Sequence, residues 1–156
     1  MTYARLTCLL LICFCGATNA RSSSSIVDAV AYSLPATDSS WQLRQNDSNP
    51  RDDGSVQASI RWTNGSMERR ATVIVHRTLK AARRAFRPLG KSDPQESLKV
   101  SGIGDEAFLW PPKVLTGGAY NMRFRKGRTE VWVSAESKAE IEWVAAVIVT
   151  AIPLGS

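Results

Sequence analysis

Two stretches of this chain alternate apolar and polar residues, stop at a dipeptide ending in glycine, and alternate again. Val56, Ala58, Ile60 and Trp62 interleave with Gln57, Ser59 and Arg61; Asn64-Gly65 follows, and Met67 to Arg77 returns. Further on, Ala119 to Arg125 and Arg128 to Ser134 flank Lys126-Gly127. A period of two marks a strand with one covered face, and Asn-Gly is a strong hairpin signal. Hairpins impose antiparallel pairing, so helices with a single apolar stripe are expected together on one side. The chain reads as an α+β protein, an antiparallel sheet built from hairpins with helices packed on one face.

Pairing about Asn64-Gly65 sets Trp62 against Met67, Arg61 against Glu68, Ala58 against Ala71 and Val56 against Val73. It also sets Ile60 against Arg69, a mismatch that signals a bulge or a register shift. Pairing about Lys126-Gly127 sets Tyr120 against Val133, Met122 against Val131 and Phe124 against Thr129, with Arg123 facing Glu130 and Asn121 facing Trp132. The core then takes Tyr120, Met122, Phe124, Val131 and Val133. Trp132 stands on the other face with Asn121, Arg123 and Arg125. An aromatic ring beside arginines can stack on sugars, bases or a partner's side chain, which makes these four residues a candidate recognition surface. A loop or the N-terminal segment lying over Trp132 would make it an ordinary covered residue instead.

Around the hairpins, Ile26 to Leu34 has the spacing of a short helix stopped by Pro35, Trp41 to Leu43 reads as a short strand, and Asn46 to Gly54 reads as a loop. Thr78 is placed to cap a helix running to about Arg87. Leu79, Ala82, Ala85, Phe86 and Leu89 share one side of it, with Lys80, Arg83, Arg84 and Arg87 opposite. That basic face is a candidate contact for an anionic surface, against the plainer reading of a solvated helix side. Leu98 to Val100 and Glu106 to Trp110 look extended, separated by Gly102-Ile-Gly104-Asp105, whose glycines should take positive φ. Ser137-Lys-Ala-Glu140 forms a capping box before a helix whose stripe is Ile141, Val144, Ala145, Ile148 and Ile152.

The start of the chain bears on its destination. Arg5, the apolar run Leu6 to Ala17 and the small-residue stretch Ala17-Thr-Asn-Ala20 have the layout of a secretory signal peptide over residues 1–20. The run of about 12 residues falls short of the roughly 20 needed to span a bilayer. Phe14 and Ile12 precede Cys15 and Cys13, where lipidation would require a small residue. Cys8, Cys13 and Cys15 are the only cysteines, so the remaining chain of about 136 residues has no disulfide. It is read as one domain: residues 21–55 supply an N-terminal helix, short strand and loop, and residues 56–156 the main α+β body. Basic residues outnumber acidic ones by 20 to 14. This moderate excess favours anionic envelope surfaces and calls for neither nucleic acid nor a transmembrane location.

Markers of catalysis are sparse. Gly102-x-Gly104-x-x-Ala107 matches a dinucleotide fingerprint, but Phe108-Leu-Trp110-Pro-Pro follows where the phosphate-binding helix should open. His76 is the one histidine, so with the cysteines confined to the leader a His/Cys zinc site is not expected. No Gly-x-Ser-x-Gly or Ser-x-x-Lys occurs. Asp105 and Glu106, if extended, point to opposite faces. No catalytic residue, metal or cofactor follows. Asn46-Asp-Ser48 and Asn64-Gly-Ser66 fit the glycosylation sequon.

Ser101-Gly-Ile-Gly-Asp-Glu-Ala-Phe108, Met122-Arg-Phe-Arg-Lys-Gly127 and Val131-Trp-Val133 together resemble small exported bacterial proteins of unknown activity. Those proteins share a Gly-x-Gly-Asp-Glu-Ala turn and a Phe-Arg-x-Gly hairpin. The order of elements is similar, more loosely, to the PsbP-like α+β fold. The resemblance covers roughly residues 56–152, implies a periplasmic or secreted location and no catalytic residues, and implies that the sequons stay bare. The expected function is a cell-envelope or secreted binding or interaction module that is not an enzyme. Its partner would be an anionic envelope polymer or another envelope protein. The alternatives are an enzyme acting on a cell-wall polymer or glycan, and a structural accessory subunit.

Overall fold

The structure, a computed structural model, describes residues 22–86, 97–112 and 118–154. Residues 1–20, where a signal peptide is expected, and Arg87 and Leu89 lie outside them. In chain order the elements are α1 (Ser23–Ala31), α2 (Ser33–Thr37), β1 (Gln42–Pro50), β2 (Val56–Asn64), β3 (Met67–Val75), α3 (Leu79–Ala85), β4 (Leu98–Val100), β5 (Glu106–Trp110), β6 (Tyr120–Lys126), β7 (Thr129–Ala135) and α4 (Lys138–Ala151). The seven strands form one antiparallel sheet in the order β1-β2-β3-β7-β6-β5-β4. After β3 the chain moves to the far edge at β4 and meanders back until β7 closes against β3.

Both hairpins have the expected faces and a different register. Asn64 pairs with Met67, Trp62 with Arg69, Ile60 with Ala71, Ala58 with Val73 and Val56 with Val75. Lys126 pairs with Thr129, Phe124 with Val131, Met122 with Val133, Arg123 with Trp132 and Arg125 with Glu130. Each turn is thus centred one residue later than the sequence suggests, on Gly65-Ser66 and Gly127-Arg128. Gly65 and Gly127 both have φ of 58°, and no described non-glycine residue has positive φ. This is the glycine-first pattern of a type II′ turn rather than the type I′ pattern of Asn-Gly. Moving the turn by one residue slips the pairing by two, an even number, so every side chain keeps its face. The slip also dissolves the Ile60–Arg69 mismatch: Ile60 meets Ala71.

The core lies between one sheet face and α1, α2 and α4. Ile26, Val30 and Leu34 pack there with Ile60, Trp62, Val73, Phe124 and Val131, and with the α4 stripe Ile141, Val144, Ala145, Ile148 and Ile152, all buried. Trp62 is fully buried and donates its Nε1 proton to the Ala31 carbonyl at 2.7 Å. That bond ties α1 to β2 while satisfying a buried donor. Ser137 caps α4, its Oγ accepting from the Glu140 amide at 3.2 Å. The reciprocal half of the capping box does not form, because the Glu140 carboxylate accepts from Arg69 Nε at 2.6 Å. Arg69 is only 5 % exposed on the core side of β3, and a buried guanidinium needs a carboxylate more than a helix start does.

Three expectations are corrected. Asn46 to Gly54 is not all loop: β1 runs from Gln42 to Pro50, a polar edge strand held to β2 by backbone pairing, with a register shift between Leu43 and Gln45. Its composition hides it, since an edge strand needs little apolar burial and tolerates a terminal proline. Pro35 does not stop the first helix. The break falls at Tyr32, and Pro35 sits in the first turn of α2, where its missing N–H would have had no partner anyway. Nor do all four helices lie on one face. Arg123 of β6 projects to the side opposite the core and donates Nη2 to the Ala85 carbonyl at 2.9 Å, so the end of α3 rests on that second face. Among the described residues of this segment, Ala82 and Phe86 are buried, whereas Leu79 and Ala85 are exposed. No helix among the described residues is long and apolar enough to cross a membrane.

Candidate recognition face

The antiparallel ladders arrange the second face in rows that run across the strands. One row is Ile74, Glu130, Arg125 and Glu106; the next is Thr72, Trp132, Arg123 and Phe108; the third is Arg70, Ser134, Asn121 and Trp110. The first two rows are knit together internally.

Glu130, 2 % exposed, is the hub. It accepts from Arg123 Nε at 2.8 Å and Trp132 Nε1 at 2.7 Å, and its other oxygen lies 3.4 Å from His76 Nε2. Burial, the largest single influence, pushes its carboxyl up. The hydrogen bonds from His76, Arg123 and Trp132, with the Arg123 charge, outweigh burial and hold its pKa down at about 2. Arg123 is layered between two rings, 4.7 Å from the Phe86 centroid and 4.9 Å from that of Trp132. Trp132 in turn stacks on Trp110 at 5.7 Å and 13°, and Phe108 touches both Phe86 and Trp110. The result is a second, smaller core of aromatic rings around one buried ion pair, on the side of the sheet away from the helix layer.

Arg125, 3 % exposed, anchors a separate clamp. Its Nη1 donates to Asp105 Oδ2 at 2.7 Å and to the Gly127 carbonyl at 2.8 Å, and its Nη2 donates to Glu106 Oε1 at 2.8 Å. Asp105 also accepts from the Gly127 amide at 2.9 Å, and its own amide donates to the Arg125 carbonyl at 2.7 Å. Asp105 and Glu106 therefore converge instead of pointing apart, because β5 starts only at Glu106 and Asp105 is still in the turn. Gly102 and Gly104 have φ of 83° and 60°, as expected, and a strand rather than a helix follows them. The Gly-x-Gly-Asp-Glu-Ala turn and the Phe-Arg-x-Gly hairpin are two halves of one structural clamp.

Of the four residues first placed on the recognition surface, Trp132, Asn121, Arg123 and Arg125 do share one face. Only part of the set is accessible: Arg123 and Arg125 are buried and bound, Trp132 is half-buried with rings or a guanidinium against it, and Asn121 accepts from Ser134 Oγ at 2.6 Å. Arg70 is an exposed arginine of the face, on the row of Ser134, Asn121 and Trp110 and paired with Glu68 at 2.5 Å. The pattern sets Glu130 on this face with Arg123, but it does not place Phe86, Phe108, Trp110 or His76 here. One signal was available, since Phe108 and Trp110 alternate with Ala107 and Leu109, leaving β5 apolar on both faces. Lys80, Arg83 and Arg84 are exposed on α3 as expected. No cluster of three or more His, Cys, Asp or Glu residues that could hold a metal occurs among the described residues.

Replacing Trp132 with alanine removes the ring from between Arg123 and Trp110, and a hydrogen bond from Glu130. For a half-buried ring the expected loss is about 2–3 kcal/mol of unfolding free energy, measured by urea titration. A loss under about 0.5 kcal/mol would mean that the stack contributes nothing to the fold. Compared with known protein families, with curated proteins and with solved structures, the chain shows no match.

Proposed function

We propose that the protein is an exported binding module of the cell envelope or extracellular space, and that the row Arg70, Ser134, Asn121 and Trp110, with the edge of Trp132, is its contact surface. The observation that carries this reading is the division of labour on the second face. The groups of this face able to do acid–base work are engaged within the fold: Glu130 with Arg123 and His76, and Asp105 and Glu106 with Arg125. The adjoining row sets Arg70, paired with Glu68 at the surface, and the hydrogen-bonded Ser134 and Asn121 beside the stacked indoles of Trp110 and Trp132. Pre-organised aromatic and arginine groups suit recognition. Export and a bacterial envelope location rest on the leader-like residues 1–20 and on the sequence resemblance.

The test uses purified cell-wall polymer and residues 21–156. The wild type should sediment with the polymer and release no soluble fragments. Ser134→Glu places a charge in the middle of the row at an exposed site; it should leave stability within about 0.5 kcal/mol and weaken sedimentation at least tenfold. Progressive release of soluble sugar would instead establish the enzymatic alternative.

A further inference from the structure

We infer that α3 docks the protein on an anionic phospholipid surface. Thr78 caps the helix, accepting from the Ala81 amide at 3.1 Å, and Phe86 and the Ala85 carbonyl pin its end to Arg123. The end of the helix is thus tied to the sheet, and its outer side is turned to solvent. Arg77, Lys80, Arg83 and Arg84 are exposed along it, and no acidic residue occurs between Arg77 and Phe86. No ion pair among the described residues engages Lys80, Arg83 or Arg84. Elsewhere Arg61, Arg69, Arg70, Arg123 and Arg125 meet carboxylates, while Arg44 and Arg51 donate to Thr63 and Gln57. Cations that meet no carboxylate among the described residues, grouped on one helix, are complementary to an array of phosphates.

Leu79 decides which kind of anion. It is 42 % exposed and lines a broad hollow together with Lys80, Arg83 and Arg84. A soluble polyanion has no use for a leucine between its contacts. A lipid surface offers phosphates for the cations and, just below them, the glycerol and acyl region for the leucine. Each cation near an anionic leaflet is worth about fivefold in partitioning. Four give reversible, salt-sensitive adsorption rather than permanent anchoring. The inference rests on the proposed function only for the location outside the cytoplasm; it uses a different surface.

The experiment is co-sedimentation of residues 21–156 with vesicles of phosphatidylglycerol and phosphatidylcholine, with pure phosphatidylcholine vesicles and soluble dextran sulfate as comparators. Binding to the mixed vesicles should appear at 0.1 M salt and vanish at 1 M, where the screening length falls from about 10 Å to about 3 Å. The triple change Lys80→Gln, Arg83→Gln, Arg84→Gln should lower partitioning about a hundredfold. Leu79→Ser should weaken vesicle binding while leaving dextran sulfate binding unchanged. All these positions are exposed, so the variants should fold normally, checked by circular dichroism. Ser134→Glu should bind vesicles like the wild type even where it loses the wall polymer, which separates failure of this inference from failure of the proposed function. Absence of vesicle binding, or equal binding to dextran sulfate with no effect of Leu79→Ser, would overturn the lipid assignment.

Discussion

Glu130→Gln should be among the most damaging single substitutions in this protein, costing about 3–5 kcal/mol. The change is nearly isosteric, so the loss comes from charge. Arg123 is 6 % exposed and Glu130 2 %, and removing one partner leaves a guanidinium without its counter-charge in a low-dielectric site. Replacing both, as in Arg123→Met with Glu130→Leu, should cost less than the sum of the single changes, because neither charge is then stranded. Urea titration of the wild type, the two single variants and the double variant measures the coupling. An additive result would mean that the pair does not act as a unit.

The same pair sets an acid limit. Glu130 is held at about 2 against an ordinary value of 4.5, so the folded state binds this proton more weakly than the unfolded state does. Its contribution to stability is therefore complete above pH 4.5 and is lost as pH falls from there towards 2. The full effect is about 3 kcal/mol. Between pH 6 and pH 2.5 the wild type should lose correspondingly more stability than Glu130→Gln. Parallel pH profiles for the two would show that Glu130 is not held in its ionised form.

Gly104→Ala should lower the melting temperature by about 10 °C or more, against a few degrees for Gly102→Ala. Both glycines have positive φ, 60° and 83°, so each alanine pays conformational strain of about 1 kcal/mol or more. Only Gly104 has a neighbour: a Cβ there would run into the carbonyl group of Arg125, which is backbone and cannot rotate away. That carbonyl already accepts from the Asp105 amide at 2.7 Å. Pushing it aside would open the clamp from both ends. Thermal melts of the two variants provide the comparison, and equal losses would show that close approach is not what glycine 104 supplies.

Periodicity and side-chain size carried much of the fold. Alternation in β2, β3, β6 and β7 assigned every residue to its face, because parity survives a two-residue slip. The stripe of α4 and the caps Thr78 and Ser137 follow from spacing and local hydrogen-bonding chemistry alone. The turn centre was not legible, since a glycine serves in the first or the second central position and the choice depends on which pairing buries more. Ile60 against Ala71 is the better pair, and that comparison needs both strands in place. The strand at Gln42 to Pro50 was equally hidden, because its backbone bonds to β2 do the work that apolar residues do elsewhere. Above all, the fate of Arg123 and Arg125 depended on tertiary structure. An arginine on a polar face reads as exposed until β5 brings Glu106 beside one, and the end of α3 brings Phe86 and the Ala85 carbonyl over the other. Chain pattern determines which side of the sheet a residue occupies; only the packing of distant segments decides whether that side is open to solvent or already filled.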